Sequence, residues 1–374
     1  MARQVITHID EFNLKAKINH SGFQNVLFKN TDFEIKLKLD QHINIIDFSH
    51  CTFKEDVLVS TIVENDATFN DCIFEREIDL YRTTFKGKTR FHNCTFNKTN
   101  FFNTRFEELA DFWGSIFNEV VIFYKTDFIK TTVFSTATFK ENVLFTYTLI
   151  EKLLIFRGTY FEKGLDLSLA IITGDLGLFD LTLKDYESKN NLTELEYETL
   201  VSKIGIIPTK NKRETFRILK KHHLDQKNPF EYQNFALQES VVHRKEVFDK
   251  LKIKDNWFNS LYDYILLTLN RFSNKHVTSY WRGIIFTAIV GVIFFYLSLV
   301  STKSYSISFN PRNWSCESLQ LSIKYLFISL SPVHKHTYMD ELNPETMFYV
   351  ADFAGRLFVS YGIYQTIQAF RKFR

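Results

Sequence analysis

Residues 112–161 read FWGSIFNEVVIFYKTDFIKTTVFSTATFKENVLFTYTLIEKLLIFRGTYF. A large apolar side chain recurs in them at Phe112, Phe117, Phe123, Phe128, Phe134, Phe139, Phe145, Ile150, Phe156 and Phe161, in steps that alternate five and six residues. A helix repeats every ~3.6 residues and a half-buried strand every ~2, so neither gives this rhythm over such a length. A solenoid does: each large residue centres one wall, and coils stack so that like positions superimpose. Upstream the same steps run through Phe69, Phe74, Leu80, Phe85, Phe91 and Phe96, then meet an irregularity at Phe101, Phe102 and Phe106; downstream they continue through Leu167, Ile172, Leu178 and Leu183.

A second ladder sets the coil length. Small residues stand two before every other large one, at Cys51, Cys72, Cys94, Ser115, Ala137 and Thr159, in steps of 21 or 22. An offset series, Thr83, Thr104, Thr126, Thr148 and Ala170, steps in the same way. Such side chains point into a narrow interior beside a Phe. One coil is therefore about 22 residues with four walls. The three ladder cysteines then read as reduced, buried small hydrophobes.

Stretches such as Phe91-His-Asn-Cys-Thr-Phe96, Phe123-Tyr-Lys-Thr-Asp-Phe128 and Phe134-Ser-Thr-Ala-Thr-Phe139 resemble the pentapeptide-repeat family in its Phe-centred variety. The resemblance covers residues 23–183 and implies an all-β, right-handed, four-sided β-helix of about seven coils. At ~4.8 Å per coil the rod is ~35 Å long. Its expected core includes Phe91, Phe96, Phe112, Phe117, Phe123, Phe128, Phe134, Phe139, Phe145, Phe156 and Phe161. Glu64, Leu80, Ile150, Leu167 and Ile172 depart from the Phe pattern by replacement or register drift. Some members of that family mimic DNA, which needs a dense negative surface. Here residues 1–183 hold 20 Lys+Arg and 25 Asp+Glu, too feeble a charge for that role, and no nucleic-acid partner is expected.

Composition agrees with a repeated core. Of 374 residues, 40 are Phe while only 12 are Gly and 5 Pro, and a 24% charged content with near balance excludes a disordered chain. Four cysteines without CxxC spacing exclude a disulfide scaffold, and the first residues, MARQVITHIDEFNLKAK, lack the apolar core of a cleavable signal peptide. Residues 184–374 hold 26 Lys+Arg against 18 Asp+Glu. A basic half with an apolar segment suggests an anionic membrane face.

Four regions follow: an N-terminal cap (1–22), the β-helix (23–183), a helical connector (184–272) and a membrane domain (273–374). In the connector, 210–226 and 228–250 read as two antiparallel helices, the second opened by Asn228-Pro229, with Phe230, Phe235, Leu237, Val241 and Val242 free to face the first. Residues 256–269 are too short to cross a bilayer and carry Asp263, and Trp257, Tyr262 and Tyr264 suit a helix at the membrane surface. His222-His223, beside Lys220-Lys221, reads as a solvated basic face rather than a metal pair.

Gly283–Thr302 has 20 residues and no charge, enough to span ~30 Å of hydrocarbon. The second candidate span, 347–370, carries Asp352 and Arg356 four apart on one helix face, where they can pair, and a separate small-residue face of Ala351, Gly355 and Gly362. Basic residues before the first span (Arg271, Lys275, Arg282) and after the second (Arg371, Lys372, Arg374) place both termini in the cytoplasm, with Trp314 and Cys316 outside. Between the spans, 318–330 is a re-entrant candidate. Arg213-Glu-Thr-Phe-Arg-Ile-Leu-Lys220, Asp352-Phe-Ala-Gly-Arg356 and Gln365-Thr-Ile-Gln-Ala-Phe-Arg371 resemble bacterial membrane proteins that fuse pentapeptide repeats, a helical connector and a two-span channel-like module.

That resemblance implies an oligomeric pore in the inner membrane, a homo-oligomer for which a tetramer is one closure, gated by a β-helix that senses a trigger or partner. Its polar candidates are Asp352, Arg356, Ser360, Lys324, His334 and His336. Leu330-Ser-Pro-Val-His-Lys-His336 has no glycine where a potassium filter needs a TVGYG-like run, so potassium selectivity is not expected. The alternative is a membrane-anchored scaffold whose β-helix binds a protein and whose spans only tether. No nucleotide-binding, hydrolase or metalloprotease motif occurs, and no enzymatic activity, cofactor or metal is expected.

Overall fold

The computed structural model describes residues 4–8, 10, 12, 17–18, 24–190, 192–253, 257–276, 278–303 and 316–371. Two compact units divide the chain, Met1–His222 and His223–Arg374.

In the first unit, short strands from Gln4 to Leu183 pair in parallel with the strand one coil later, except Lys17–Ile18, which pairs antiparallel with Gln24–Lys29. Parallel register puts like residues over like. One column is Phe33, Phe53, Phe74, Phe96, Phe117, Phe139, Phe161 and Leu183, about seven turns from end to end. A second runs through Phe28, Phe48, Phe69 and Phe91 to Phe112, Phe134 and Phe156. A third holds Phe101, Phe123 and Phe145, and a fourth Val63, Phe85, Phe106, Phe128, Ile150 and Ile172. Rings within a column stack nearly parallel, as Phe117 on Phe139 at 4.6 Å and 9°. All eleven Phe expected in the core are buried.

The interior polar residues are there to bond. Buried hydroxyls need partners; six of them find a carbonyl in the preceding coil, while Thr89 Oγ1 is buried without one. Thr104 donates to Leu80 O and Thr126 to Phe101 O at 2.8 Å, Ser115 to Phe91 O and Thr159 to Phe134 O at 2.6 Å; Thr83 and Thr148 do the same to Val59 and Phe123. Cys51, Cys72 and Cys94 are buried free thiols, and the bond with Cys72 together with burial holds the Cys51 thiol well above its ordinary value. Left-handed backbone recurs at one corner along the solenoid and at a second corner from Arg82 to Tyr147. One is the series Asn30, His50, Asp71, Asn93, Gly114, Thr136 and Gly158, the other Arg82, Asn103, Lys125 and Tyr147. Asn, Asp and Gly predominate at the first because they tolerate positive φ best.

Three sequence readings change. The irregularity at Phe101–Phe106 is a coil one residue short: Phe101 is buried in the third column and Phe102 turns outward. At the expected departure Glu64, the buried residue is Val63, paired with Phe85, and Glu64 instead bonds Lys86 at 3.0 Å. The ladder also reaches N-terminal of residue 23: Gln4–Ile6 pairs with Thr31–Phe33, and Phe12 stacks on Phe28 at 5.1 Å, covering the end of a column. The rest of the expected cap lies mostly outside the described residues.

After Leu183 the chain folds back against the last coils. Helix α1 (Glu194–Thr199) opens with a capping box, Thr193 and Glu196, and continues into a π-helical turn, Leu200–Ile204. Helix α2 (Thr209–Asp225) brings Asn211 and Thr215 to the buried Asp166. Asp166 accepts from Ser168 N and Asn211 Nδ2 at 2.8 Å, and Tyr197 donates to Asn211 Oδ1 at 2.9 Å. Lys212, equally buried, donates to Asp185 at 2.6 Å and to Tyr186 O. Burial pushes the Asp166 carboxyl above its ordinary value of 3.8 although these donors pull it down. The folded state thus holds that proton more tightly than the unfolded chain. The group's stabilisation is complete below ~4 and is lost as pH rises through the raised value. Denaturant melts of the full chain from pH 4.5 to 8 should therefore show wild type losing stability relative to Asp166→Asn as pH rises; a pH-independent gap would contradict this.

In the second unit, helices α3 (Pro229–Ile253) and α4 (Trp257–Asn274) touch through Phe248 and Tyr264 at 5.4 Å. Of the residues expected to face inward on α3, Phe235 and Val242 are buried while Phe230 and Val241 are exposed. Helix α4 leaves Trp257, Phe258, Tyr262, Ile265 and Phe272 exposed; Asn256, its expected first residue, lies outside the described residues. Helices α5 (Tyr280–Val300), α6 (Cys316–Ser329) and α7 (Thr346–Phe370) correspond to the first span, the re-entrant candidate and the second span. Among the described residues, α5 is the one helix long and apolar enough to cross a membrane. Lys372 and Arg374, used for orientation, and Trp314 lie outside the described residues, as does the side chain of Cys316.

Small residues let α5 and α7 close on each other. A Cβ on Gly362 would lie 2.3 Å from Thr287 Oγ1, and one on Gly283 would lie 2.4 Å from Thr366 Oγ1, a reciprocal Gly–Thr arrangement. Gly355 meets Phe294. The small-residue face of α7 is thus spent inside one chain.

Candidate functional site

Two regions carry unspent chemistry or unusual polarity. The first is built on α7, one face of which buries Phe348, Asp352, Gly355, Val359 and Gly362. Asp352 and Arg356 pair as their spacing predicts: Arg356 Nε donates to Asp352 Oδ2 at 2.9 Å, with Nη2 at 2.6 Å from the same oxygen. His334 completes the group from the loop after α6. Its Nε2 lies 2.7 Å from Asp352 Oδ1, and its Nδ1 faces Ser331 O. Both ring nitrogens meet oxygens of the same chain.

The side chains of His334 and Asp352 are only 3% and 6% exposed. Tyr338 stands edge-on over the imidazole at 4.6 Å. Below it, Tyr325, Met339, Phe348 and Leu299 form a small apolar core that holds the loop in place. Two donors meet the Asp352 carboxylate within a single chain. The other polar candidates do not join. Ser360 and His336 are exposed, and Lys324 is exposed beside Tyr325. A second polar seam was not foreseen: Asn270 Oδ1 accepts from Tyr361 at 2.8 Å and Gln365 at 3.1 Å, and Asn274 bonds Gln365.

The second region lies on the outside of the solenoid. On the outer surface of the solenoid Tyr81, Phe102 and Tyr124 stack at 5.3 and 5.1 Å, with Tyr147 edge-on to Tyr124 at 5.8 Å. Arg82 and Lys125 lie over the Tyr81 and Tyr124 rings. Beside this ladder opens a cavity of about 430 Å³, floored by Val120 and Ile122 and rimmed by Glu77, Glu119, Glu141, Lys98 and Lys203. Lys98 is already bonded to Glu77 at 3.0 Å, so acidic groups dominate the rim. Its far wall is the π-helical turn, seated by buried Val201 and by Gly205, whose carbonyl accepts from Asn142 at 2.9 Å. Gly205 has φ +75°, and a Cβ there would lie 2.3 Å from Val120. Aromatic residues at 22-residue spacing were visible in the sequence at 102 and 124; their outward direction was not.

A family model described as pentapeptide repeats (nine copies) matches residues 80–127, the heart of this solenoid. No curated protein and no solved structure matches the chain. The matched repeats account for the β-solenoid; the helices beyond it have no counterpart in these comparisons.

Proposed function

We propose that the chain is a membrane-anchored interaction protein: the solenoid is a recognition rod and the helical unit is its anchor in the inner membrane, with α5 and α7 crossing and both termini cytoplasmic. The outer aromatic ladder carries this reading. The four Phe columns already fill the core, so Tyr81, Phe102, Tyr124 and Tyr147 serve no packing need there, and stacked rings next to an acidic groove make the kind of site where aromatic anchors dominate binding. The partner that fits is a protein segment with basic side chains for Glu119 and Glu141. The anchor needs no pore, because Asp352 is satisfied by His334 and Arg356 within one chain.

A photo-crosslinking residue at Tyr124, in cells making the full chain, should give a discrete adduct, and Glu119→Lys/Glu141→Lys should abolish it. The same probe at exposed Thr136, on the opposite corner, should stay unlinked. Equal labelling at both corners would sink the assignment. The second reading, an oligomeric channel, keeps one observation in its favour, the order of long helix, 14-residue helix and long helix.

A further inference from the structure

The anchor contains a cavity that neither the triad nor the solenoid groove explains. It measures about 390 Å³ and opens between the first turns of α3 and the turn leading into α5. Its polar lining is Gln233 and Asn234 on one side and Lys275, Thr278, Ser279 and Arg282 on the other. No carboxylate lines it, and among the described residues neither Lys275 nor Arg282 has an ion-pair partner. Ser279 makes no side-chain capping bond, and Gln233 has a buried Oε1 without a hydrogen-bond partner. Next to Lys275, burial and the neighbouring charges of Arg244 and Arg271 depress the His276 imidazole, so the surroundings are strongly positive as well.

Phe230 and Leu237 supply an apolar flank, and Trp281, 61% exposed, stands beside Arg282 at the end of the apolar helix. Two cations without counter-charges and an apolar flank at a membrane-helix end match one chemistry, a phosphodiester carried on an acyl chain. We infer that this cavity binds the headgroup of an anionic phospholipid, with Lys275 and Arg282 on the phosphate and Phe230 against the lipid's apolar part. The inference rests on reading α5 as membrane-spanning.

Native mass spectrometry of the detergent-purified full chain tests it, with dihexanoyl phosphatidylglycerol, dihexanoyl phosphatidylcholine and inorganic phosphate as probes. Phosphatidylglycerol should be retained, phosphatidylcholine at least tenfold less. Lys275→Gln/Arg282→Gln should weaken retention at least tenfold, whereas removing two positive charges elsewhere, Lys140→Gln/Lys163→Gln, should not. If the double variant fails to fold, Lys275→Gln and Arg282→Gln are read singly by the same criterion. Equal retention of the two lipids, displacement by equimolar phosphate, or no loss in the cavity variants would overturn the assignment. Insertion of the chain into phosphatidylcholine vesicles separates the two readings: a chain that inserts there but shows no anionic preference loses only this site, and one that inserts into no vesicle loses the anchor.

Discussion

Phe134→Ala should lower the unfolding free energy of the solenoid by about 3–5 kcal/mol. Phe134 is fully buried, stacked on Phe112 at 4.8 Å and on Phe156 at 5.6 Å, with Phe139 tilted and Phe145 edge-on against it. The backbone around it cannot collapse into the gap, because Thr131–Val133 is hydrogen-bonded to Leu153–Ile155 on one side and to Ala110–Asp111 on the other. In a stacked array the loss also weakens two nearest-neighbour interfaces at once. Phe102→Ala removes an equally large ring from the outer ladder, and its cost should stay below ~1 kcal/mol because that side chain is already partly in water. Denaturant midpoints followed by far-ultraviolet circular dichroism compare the two. Similar losses would mean that the columns do not carry the stability assigned to them; should the alanine variant not fold, Phe134→Leu, expected to cost less than ~1.5 kcal/mol, takes its place.

Asp352→Ala should be the most damaging single change in the anchor. It removes the acceptor shared by His334 and Arg356 and leaves both donors buried or half-buried without one, at about 3–5 kcal/mol for breaking a buried pair. Arg356→Ala leaves the His334–Asp352 contact intact, and the Arg356 side chain is 24% exposed, so its effect should be smaller. Asp352→Asn/Arg356→Gln, which removes both charges, should be milder than Asp352→Ala. Thermal unfolding of the full chain in detergent, read by tryptophan fluorescence, gives the order. An Arg356→Ala loss equal to or greater than that of Asp352→Ala would show that the carboxylate is not the hub of the site.

The four-walled solenoid was legible because every wall must send one side chain inward, which prints a five-and-six rhythm on the sequence. The rhythm misplaced Glu64 because only the direction of Val63, fixed by its pairing with Phe85, distinguishes two neighbouring positions. The left-handed corners left a trace in Asn30, Asp71, Asn93, Gly114 and Gly158, but these polar and small residues look like ordinary turns until their 21- to 22-residue spacing is aligned with the columns. The Asp352–Arg356 pair was legible from helical spacing. His334 stood among the polar candidates, but its contact with Asp352 was not legible, because a loop and a 3₁₀ turn separate the two and no period connects them. Asp166 was invisible for the same reason: its partners Asn211 and Thr215 come from a helix more than forty residues away. The loop that follows α6 brings His334 to Asp352 and buries that carboxylate within one chain.

The most direct test of the anchor-and-rod account is current recorded across planar bilayers containing the purified full chain. Bilayers that stay electrically silent, while protease protection confirms that the chain has inserted, are the result expected when Asp352 is closed by His334 and Arg356 and lines no path. Discrete current steps that change amplitude in Asp352→Asn or Arg356→Gln would contradict it and establish the channel instead.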